Sequence, residues 1–193
     1  PRPLPGRRDD LHPRGLLDRP LGADADLRIL TARDPEALEV LRHSAAHLLA
    51  MAVLELFPGT DLGFGPATED GFYYDFRTPE PLQEGDLPRI EARMKEIAAQ
   101  KRGYVRQECS KPAAKERLSK MGYVLKGPHV DEIPEDVISF YDSGAFTDMC
   151  EGPHVPDTGW LAAVKVLSVA GAYWRGDAKG LPMQRVHGTA FFN

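Results

Sequence analysis

This sequence has little cysteine, no excess of positive charge and no leader-like apolar segment. Only two cysteines, Cys109 and Cys150, occur in 193 residues. One possible bridge is no disulfide framework for a chain of this size, so we expect a reducing, cytoplasmic setting. Residues 1–10 are rich in proline and arginine without an apolar core, so we expect no signal peptide. Lysine and arginine number 24 against 29 aspartates and glutamates. This balance argues against binding nucleic acid through a generally basic surface, but it does not exclude a pocket for a nucleic acid end.

Common catalytic motifs are also missing. The sequence contains no Walker-type loop, no GxSxG, and no GxGxxG in a strand–turn–helix context. The length, with 42% hydrophobic and 27% charged residues, is ordinary for a globular protein of one domain or slightly more.

The clearest local pattern is a long helix over residues 34–57. Asp34 suits the N-cap and Pro35 the first helical position, and Pro58-Gly59 ends the pattern. At 1.5 Å per residue the helix would span roughly 33 Å. We expect no membrane contact, because the apolar stretch is too short and too interrupted to cross a bilayer.

Two histidines lie in the middle of this helix. No charged residue falls between Arg42 and Glu55, so the helix is apolar nearly all round and is predicted to be buried. His43 and His47 are spaced i, i+4 and therefore share one face. Either ring alone is most simply a core histidine with its hydrogen bonds satisfied; the pair favours a functional site.

The remaining pattern predicts an α+β fold, in which the long buried helix packs against a mostly antiparallel sheet, with additional amphipathic helices. Glu69-Asp70-Gly71 indicates a hairpin turn before an aromatic strand. The further helices are expected at about residues 86–102 and 110–121. The expected strands are residues 27–30, 72–76, 104–108, 137–141, 145–150, 162–174 and 183–192.

A second group of polar residues lies in the stretch DMCEGPHVP, where Cys150 and His154 flank a Gly-Pro turn. Together with His43 and His47, they supply the nitrogen and sulfur ligands of a tetrahedral zinc site. The same four residues without a metal would form a polar pocket suited to hydrogen bonding and acid–base work. Taken singly, Cys150 could be a small buried hydrophobe and His154 a packed turn residue.

Five strings occur in one order and spacing that resembles the second N-terminal, editing domain of threonyl-tRNA synthetases. They are RHSAAHLLA, GFYYDF, DMCEGPHVPDTG, AGAYWRGD and QRVHGTAF. The resemblance implies an editing domain over residues 33–193. It also implies that residues 1–32 comprise an irregular N-terminus and a remnant of the family's ubiquitin-like β-rich first domain. No string resembles the class II aminoacylation core, so we expect no synthesis of threonyl-tRNA by this chain.

The resemblance also implies a reaction. The family's editing domain hydrolyses the ester that joins serine to the 3′ end of tRNA(Thr), because a synthetic site that accepts threonine cannot strongly reject the smaller serine. By resemblance, His43 positions the water or transfers its proton, and Asp148 binds the amino or hydroxyl group of serine. Lys126 is our choice for the family's proton-transfer lysine, although the surrounding segment YVLKGPHV differs from the usual sequence of the family at this point.

The other matched positions are expected to bind the substrate. His47, Cys150 and His154 would shape the pocket and contact the adenosine, and Tyr74 matches a pocket tyrosine. Free-standing and synthetase-borne alanyl-tRNA editing domains share the four-residue motif and hold zinc there. The flanking strings are threonyl-like, so we expect no metal and no other cofactor for editing. The implied partners are serine-charged tRNA(Thr) and the catalytic and anticodon-binding domains of the synthetase.

Two alternatives remain open at this point. One is a zinc-dependent trans-editing deacylase of the alanyl type, with His43, His47, Cys150 and His154 as ligands. The other is a module that binds tRNA without catalysis, against which the presence of all four motif residues counts.

Overall fold

A computed structural model describes residues 30–192. Its first element is helix α1, Pro35–Leu56, with Asp34 at the N-cap position and Pro35 in the first turn, as predicted. The Asp34 carboxylate accepts a hydrogen bond from the backbone N–H of Thr31, at 2.7 Å, and makes no side-chain bond to the helix end. The expected strand at residues 27–30 and the first-domain remnant fall outside the described residues, apart from residues 30–32.

Helix α1 is the core helix of the domain. Between residues 41 and 53 every residue except His43 is buried. The twelve buried residues are Leu41, Arg42, Ser44, Ala45, Ala46, His47, Leu48, Leu49, Ala50, Met51, Ala52 and Val53. The argument from length against a membrane span is wrong, because this 22-residue helix is, by length and composition alone, long and apolar enough to cross a bilayer. Most of this helix is instead buried inside the protein, as in the core helix of a globular domain.

The strands of residues 30–192 form two sheets rather than one. Their bounds are β1 Asp61–Leu62, β2 Phe72–Arg77, β3 Val105–Ser110, β4 Val137–Ser143, β5 Phe146–Met149, β6 Val164–Tyr173 and β7 Pro182–Ala190. The larger sheet has the order β1-β2-β7-β6 and the smaller has the order β3-β4-β5, and every pairing is antiparallel. Helix α1 packs on β2 and β7 of the larger sheet.

Three further α-helices complete the described fold. Helices α2, Leu87–Ala99, and α3, Lys111–Lys120, correspond to the predicted amphipathic helices. Helix α4, Lys126–His129, is a single turn that the sequence did not predict. Short 3₁₀ turns occur at Glu84–Asp86, Thr158–Leu161 and Trp174–Gly176. The prediction of an α+β fold with a long buried helix, antiparallel strands and additional helices is confirmed.

Position 65 requires a residue without a side chain, because the backbone there lies directly against the ring of Tyr74. A Cβ at position 65 would come within 2.1 Å of Tyr74 Cδ2. The Gly65→Ala variant is therefore expected to lose about 1–3 kcal/mol of unfolding free energy through overpacking. Urea denaturation measures this loss.

The matched control for this variant is Gly85→Ala. Gly85 has no heavy atom within 4 Å of the added Cβ, so this substitution should leave stability nearly unchanged. Equal stability of the two variants would contradict the close approach of Gly65 to Tyr74.

Candidate active site

Four side chains from two distant parts of the sequence converge at the middle of α1. We call them the imidazole–thiol cluster: His43, His47, Cys150 and His154. Their potential ligand atoms all lie within 4.8 Å of one another. His43 Nε2 is 3.2 Å from His47 Nε2 and 3.0 Å from Cys150 Sγ, and His154 Nε2 is 3.5 Å from the same sulfur. His47 and His154 are buried, while His43 and Cys150 are partly exposed, so solvent approaches the cluster from their side.

The backbone after β5 brings Cys150 and His154 to the helix. The N–H of Cys150 donates to the carbonyl of Ser139 on β4, at 3.1 Å. Gly152, with a positive φ of 78°, then reverses the chain so that its N–H donates to Cys150 Sγ, at 3.2 Å. The N–H of Val155 donates to Ser44 Oγ on α1, at 3.0 Å, which fixes the loop against the helix.

A second buried group lies beside the cluster, and we call it the Lys–Asp–Tyr group: Lys126, Asp148 and Tyr74. Lys126 Nζ donates to Asp148 Oδ1 in a buried salt bridge and to the Tyr74 hydroxyl at 3.0 Å. The Tyr74 hydroxyl donates to Asp148 Oδ2, at 2.5 Å. Lys126 and Asp148 are each 1% exposed and Tyr74 is fully buried, so all three are removed from water.

His47 connects the two groups. Its Nδ1 lies 3.8 Å from Asp148 Oδ2, and its ring meets the Tyr74 ring edge-on at 6.2 Å between centroids. Phe146 also contacts the His47 ring edge-on, at 5.7 Å. The carboxylate therefore lies between a lysine, a tyrosine and a histidine, with Nδ1 of His47 as the ring atom that faces it.

Burial keeps the imidazoles neutral. Desolvation lowers the pKa of His43 to about 4, against an opposing effect of Asp148 and a further lowering by Lys126. Desolvation first, and the neighbouring imidazoles second, lower the pKa of His47 and of His154 well below the usual value, with a further lowering by Lys126 at His47. Burial and Asp148 raise the pKa of Tyr74 well above its ordinary range. At neutral pH the cluster therefore offers uncharged ring nitrogens as hydrogen-bond acceptors.

These pKa values predict acid lability. Each histidine is uncharged in the folded state but protonates near pH 6.5 once unfolded, so stability is complete above pH 6.5 and falls as the pH drops below it. For His43 alone, a folded-state pKa of about 4 corresponds to a loss of about 2 kcal/mol between pH 7.5 and 5. Urea denaturation at the two pH values, with a chelator present, measures this loss.

The His43→Gln variant is the comparison for this measurement. It should show a shallower dependence of unfolding free energy on pH than the wild type. If the two proteins lose the same unfolding free energy between pH 7.5 and 5, His43 is not held uncharged by burial.

The donor set of the imidazole–thiol cluster also fits a tetrahedral metal. Zinc binds imidazole nitrogen at about 2.0–2.1 Å and thiolate sulfur at about 2.3 Å, so neighbouring ligand atoms stand a little over 3 Å apart. Three of the distances in the cluster, 3.0–3.5 Å, are of this order, and all four ligand atoms lie within 4.8 Å of one another. His43, His47, Cys150 and His154 could therefore hold zinc.

All seven residues selected from the sequence lie in these two adjoining groups, and the functional roles assigned to them stay predictions. Cys109 stands apart on β3, and neither cysteine forms a disulfide within residues 30–192. The sequence reasoning missed Ser44 and Tyr104, which surround His154. The signal for Ser44 was available, because it is a hydroxyl between two histidines in an otherwise apolar helix. Nothing in the local sequence marks Tyr104.

Known proteins have sequences similar to this one. The profile described as the second additional domain of threonyl and alanyl tRNA synthetases matches residues 138–187. The threonine–tRNA ligase of Rhodopirellula baltica is 48% identical over 183 residues, covering 91% of this chain and 25% of the relative. That of Acidobacterium capsulatum is 49% identical over 179 residues, covering 92% and 26%. The chain spans about a quarter of the length of the curated relatives it matches. Nearly the whole chain is therefore similar to the part of threonine–tRNA ligases that carries the second additional domain, the same region that the sequence motifs resemble.

Proposed function

We propose that this chain hydrolyses seryl-tRNA(Thr), the mischarged product that a threonine-specific synthetic site cannot strongly reject. One observation carries the proposal: the imidazole–thiol cluster, open on the His43 and Cys150 side, adjoins the buried Lys–Asp–Tyr group. A hydrogen-bond acceptor for water and a carboxylate for an ammonium group thus lie side by side. The partners that follow from this function are the charged 3′ end of tRNA(Thr) and the remaining domains of a synthetase.

Hydrolysis requires water to attack the ester carbonyl while the bond to the ribose oxygen breaks. His43 is the ring that solvent reaches, and its neutral nitrogen accepts a hydrogen bond from the water. A pKa of about 4 makes this imidazole a weak base, which favours orienting the water over complete proton abstraction. One proton of the water ends on the ribose hydroxyl that leaves, and the oxygen of the water joins the carboxyl group of serine. The second proton is released to solvent as that carboxyl group ionises.

The Lys–Asp–Tyr group supplies the charged contacts. Asp148 holds the ammonium group of the seryl moiety, since a carboxylate is the natural partner of that cation. Lys126 Nζ donates to Tyr74 and Asp148 in this group, and in the proposal its positive charge stabilises the negative charge that develops on the substrate. His47 and Tyr74 are rigid, buried walls, so a serine side chain fits more easily than one with an added methyl group.

Parallel deacylation assays test this function. The chain is incubated with seryl-tRNA(Thr) and with threonyl-tRNA(Thr), and the loss of each ester is followed. We expect the seryl ester to be hydrolysed at least roughly tenfold faster, the discrimination that one methyl group supports. Equal rates, or no hydrolysis of either, would rule the proposal out. Binding of tRNA without turnover would indicate a recruiting module instead.

A second candidate function is a zinc-dependent deacylase of the alanyl type, favoured by the four convergent ligand atoms of the imidazole–thiol cluster. A zinc ion there that kept one position open for a water would lower the pKa of that water. Metal analysis of the purified chain and assays with and without a chelator distinguish the two candidates. The first predicts an unchanged rate after chelation; the second predicts loss of activity that added zinc restores.

A further inference from the structure

We infer that Ser44 and Tyr104 are positioning residues that hold His154 in one ring orientation and one tautomer, with Nδ1 protonated and the Nε2 lone pair facing the cluster. The consequence for catalysis rests on the proposed function, but the tautomer itself does not. All three side chains are buried: Ser44 is fully buried, Tyr104 is 4% exposed and His154 is 6% exposed.

The hydrogen bonds of Ser44 set the tautomer. Its hydroxyl has one proton and two lone pairs. The hydroxyl donates to the Val40 carbonyl, at 2.8 Å, and accepts the N–H of Val155, at 3.0 Å. The remaining lone pair faces His154 Nδ1, at 3.1 Å, so Nδ1 must supply the proton of that contact. The opposite tautomer would require the hydroxyl to abandon its shortest hydrogen bond, the one to Val40.

This tautomer determines what His154 presents to the cluster. With Nδ1 protonated, Nε2 is an acceptor, and it lies 3.5 Å from Cys150 Sγ. It can accept the thiol hydrogen or a hydrogen bond from water or a substrate hydroxyl. In the other tautomer an N–H would point at the sulfur, and the cluster would lose one of its acceptors.

Tyr104 fixes the plane of the ring. Its aromatic ring stacks on His154 with centroids 4.6 Å apart and planes 8° from parallel. Its hydroxyl donates to the backbone carbonyl of Ser44, at 3.3 Å. Tyr141 also meets the His154 ring edge-on, at 4.5 Å between centroids. Ring rotation is therefore blocked while Nδ1 stays on Ser44.

Nitrogen-15 NMR of the chain labelled on histidine, with a chelator present, measures the tautomer directly. The couplings between ring protons and ring nitrogens show which nitrogen carries the hydrogen. The His154→Asn variant assigns the signal. We expect the Nδ1–H form for His154 in the wild-type chain. Observation of the Nε2–H form would overturn the inference. The tautomer itself is measured on the wild-type chain, and the variant serves only to identify the signal.

The Ser44→Ala variant tests the role of the hydroxyl, with Ser143→Ala as its matched control. Ser143 is 1% exposed, and its hydroxyl has no hydrogen-bond partner among residues 30–192. In Ser44→Ala, His154 should no longer be held in a single tautomer. The kcat for seryl-tRNA(Thr) should fall by about 10- to 100-fold, with little change in KM, which is the range seen when the hydrogen-bond partner of a ligating histidine is removed. Ser143→Ala should keep both. An unchanged tautomer and kcat in Ser44→Ala would contradict the inference.

The two proposals fail separately. A wild-type chain with the Nδ1–H tautomer and no hydrolysis would end the proposed function and leave Ser44 as the residue that orients His154. A chain that hydrolyses seryl-tRNA(Thr) with the Nε2–H tautomer would end the inference alone.

Discussion

Replacing Lys126 by methionine is expected to lower the free energy of unfolding by about 3–5 kcal/mol, the cost of leaving a buried charge without its partner. Lys126 and Asp148 are each 1% exposed, and the lysine is the cationic member of their salt bridge. In Lys126→Met the carboxylate keeps, among the side chains of residues 30–192, only the Tyr74 hydroxyl as a direct donor, at 2.5 Å. Urea denaturation at pH 7.5 gives the unfolding free energy.

Two comparisons show whether the loss comes from the unpaired charge. The double variant Lys126→Met with Asp148→Asn removes both charges and should recover much of the loss, because no isolated carboxylate remains buried. Lys120→Met removes a lysine from an exposed salt bridge to Glu116 and should leave stability nearly unchanged. Similar stabilities of the Lys126 and Lys120 variants would contradict the burial of a Lys126–Asp148 ion pair.

Replacing His43 by alanine is expected to slow seryl-tRNA(Thr) hydrolysis by about 100-fold, because a correctly placed water is lost from the reaction. His43 is partly exposed, its Nε2 lies at the centre of the cluster, and its low pKa keeps it in the accepting form at neutral pH. The affinity for tRNA should change little, since the ring contributes no charge. Single-turnover deacylation and a filter-binding assay measure the two quantities.

His187→Ala is the control for this substitution. His187 lies on β7, where its ring packs beside Tyr73 at 5.9 Å, outside both groups of the site. This variant should hydrolyse seryl-tRNA(Thr) at nearly the wild-type rate. A His43→Ala rate within about threefold of the wild type would show that His43 does not place the water.

Local sequence was sufficient for helix α1 and for half of the cluster. A helix without charge between Arg42 and Glu55 has to be buried, and an i, i+4 spacing has to place His43 and His47 on one face. The structure has both features: the middle of α1 is buried and the two Nε2 atoms are 3.2 Å apart. The Cys150–His154 spacing likewise predicted a second pair of converging ligands.

The remaining features depend on contacts between distant residues. Gly127 and Pro128 argue against a helix by propensity, so the single turn that buries Lys126 was not predicted. Strand patterns do not show which strands share a sheet, and a single sheet was expected where two form. Tyr104 reaches His154 only because residues 50 apart in sequence pack in the folded chain. Propensity and periodicity carry no information about such pairs.

The most direct test of the central claim is a crystal structure of the chain with a non-hydrolysable amide analogue of the 3′-seryl-adenosine end. The account predicts the analogue's ammonium group on Asp148, its carbonyl carbon within reach of a water held by His43, and its serine side chain against His47 and Tyr74. An analogue bound away from the imidazole–thiol cluster, for example in the groove between Leu87 and Leu167, would contradict it.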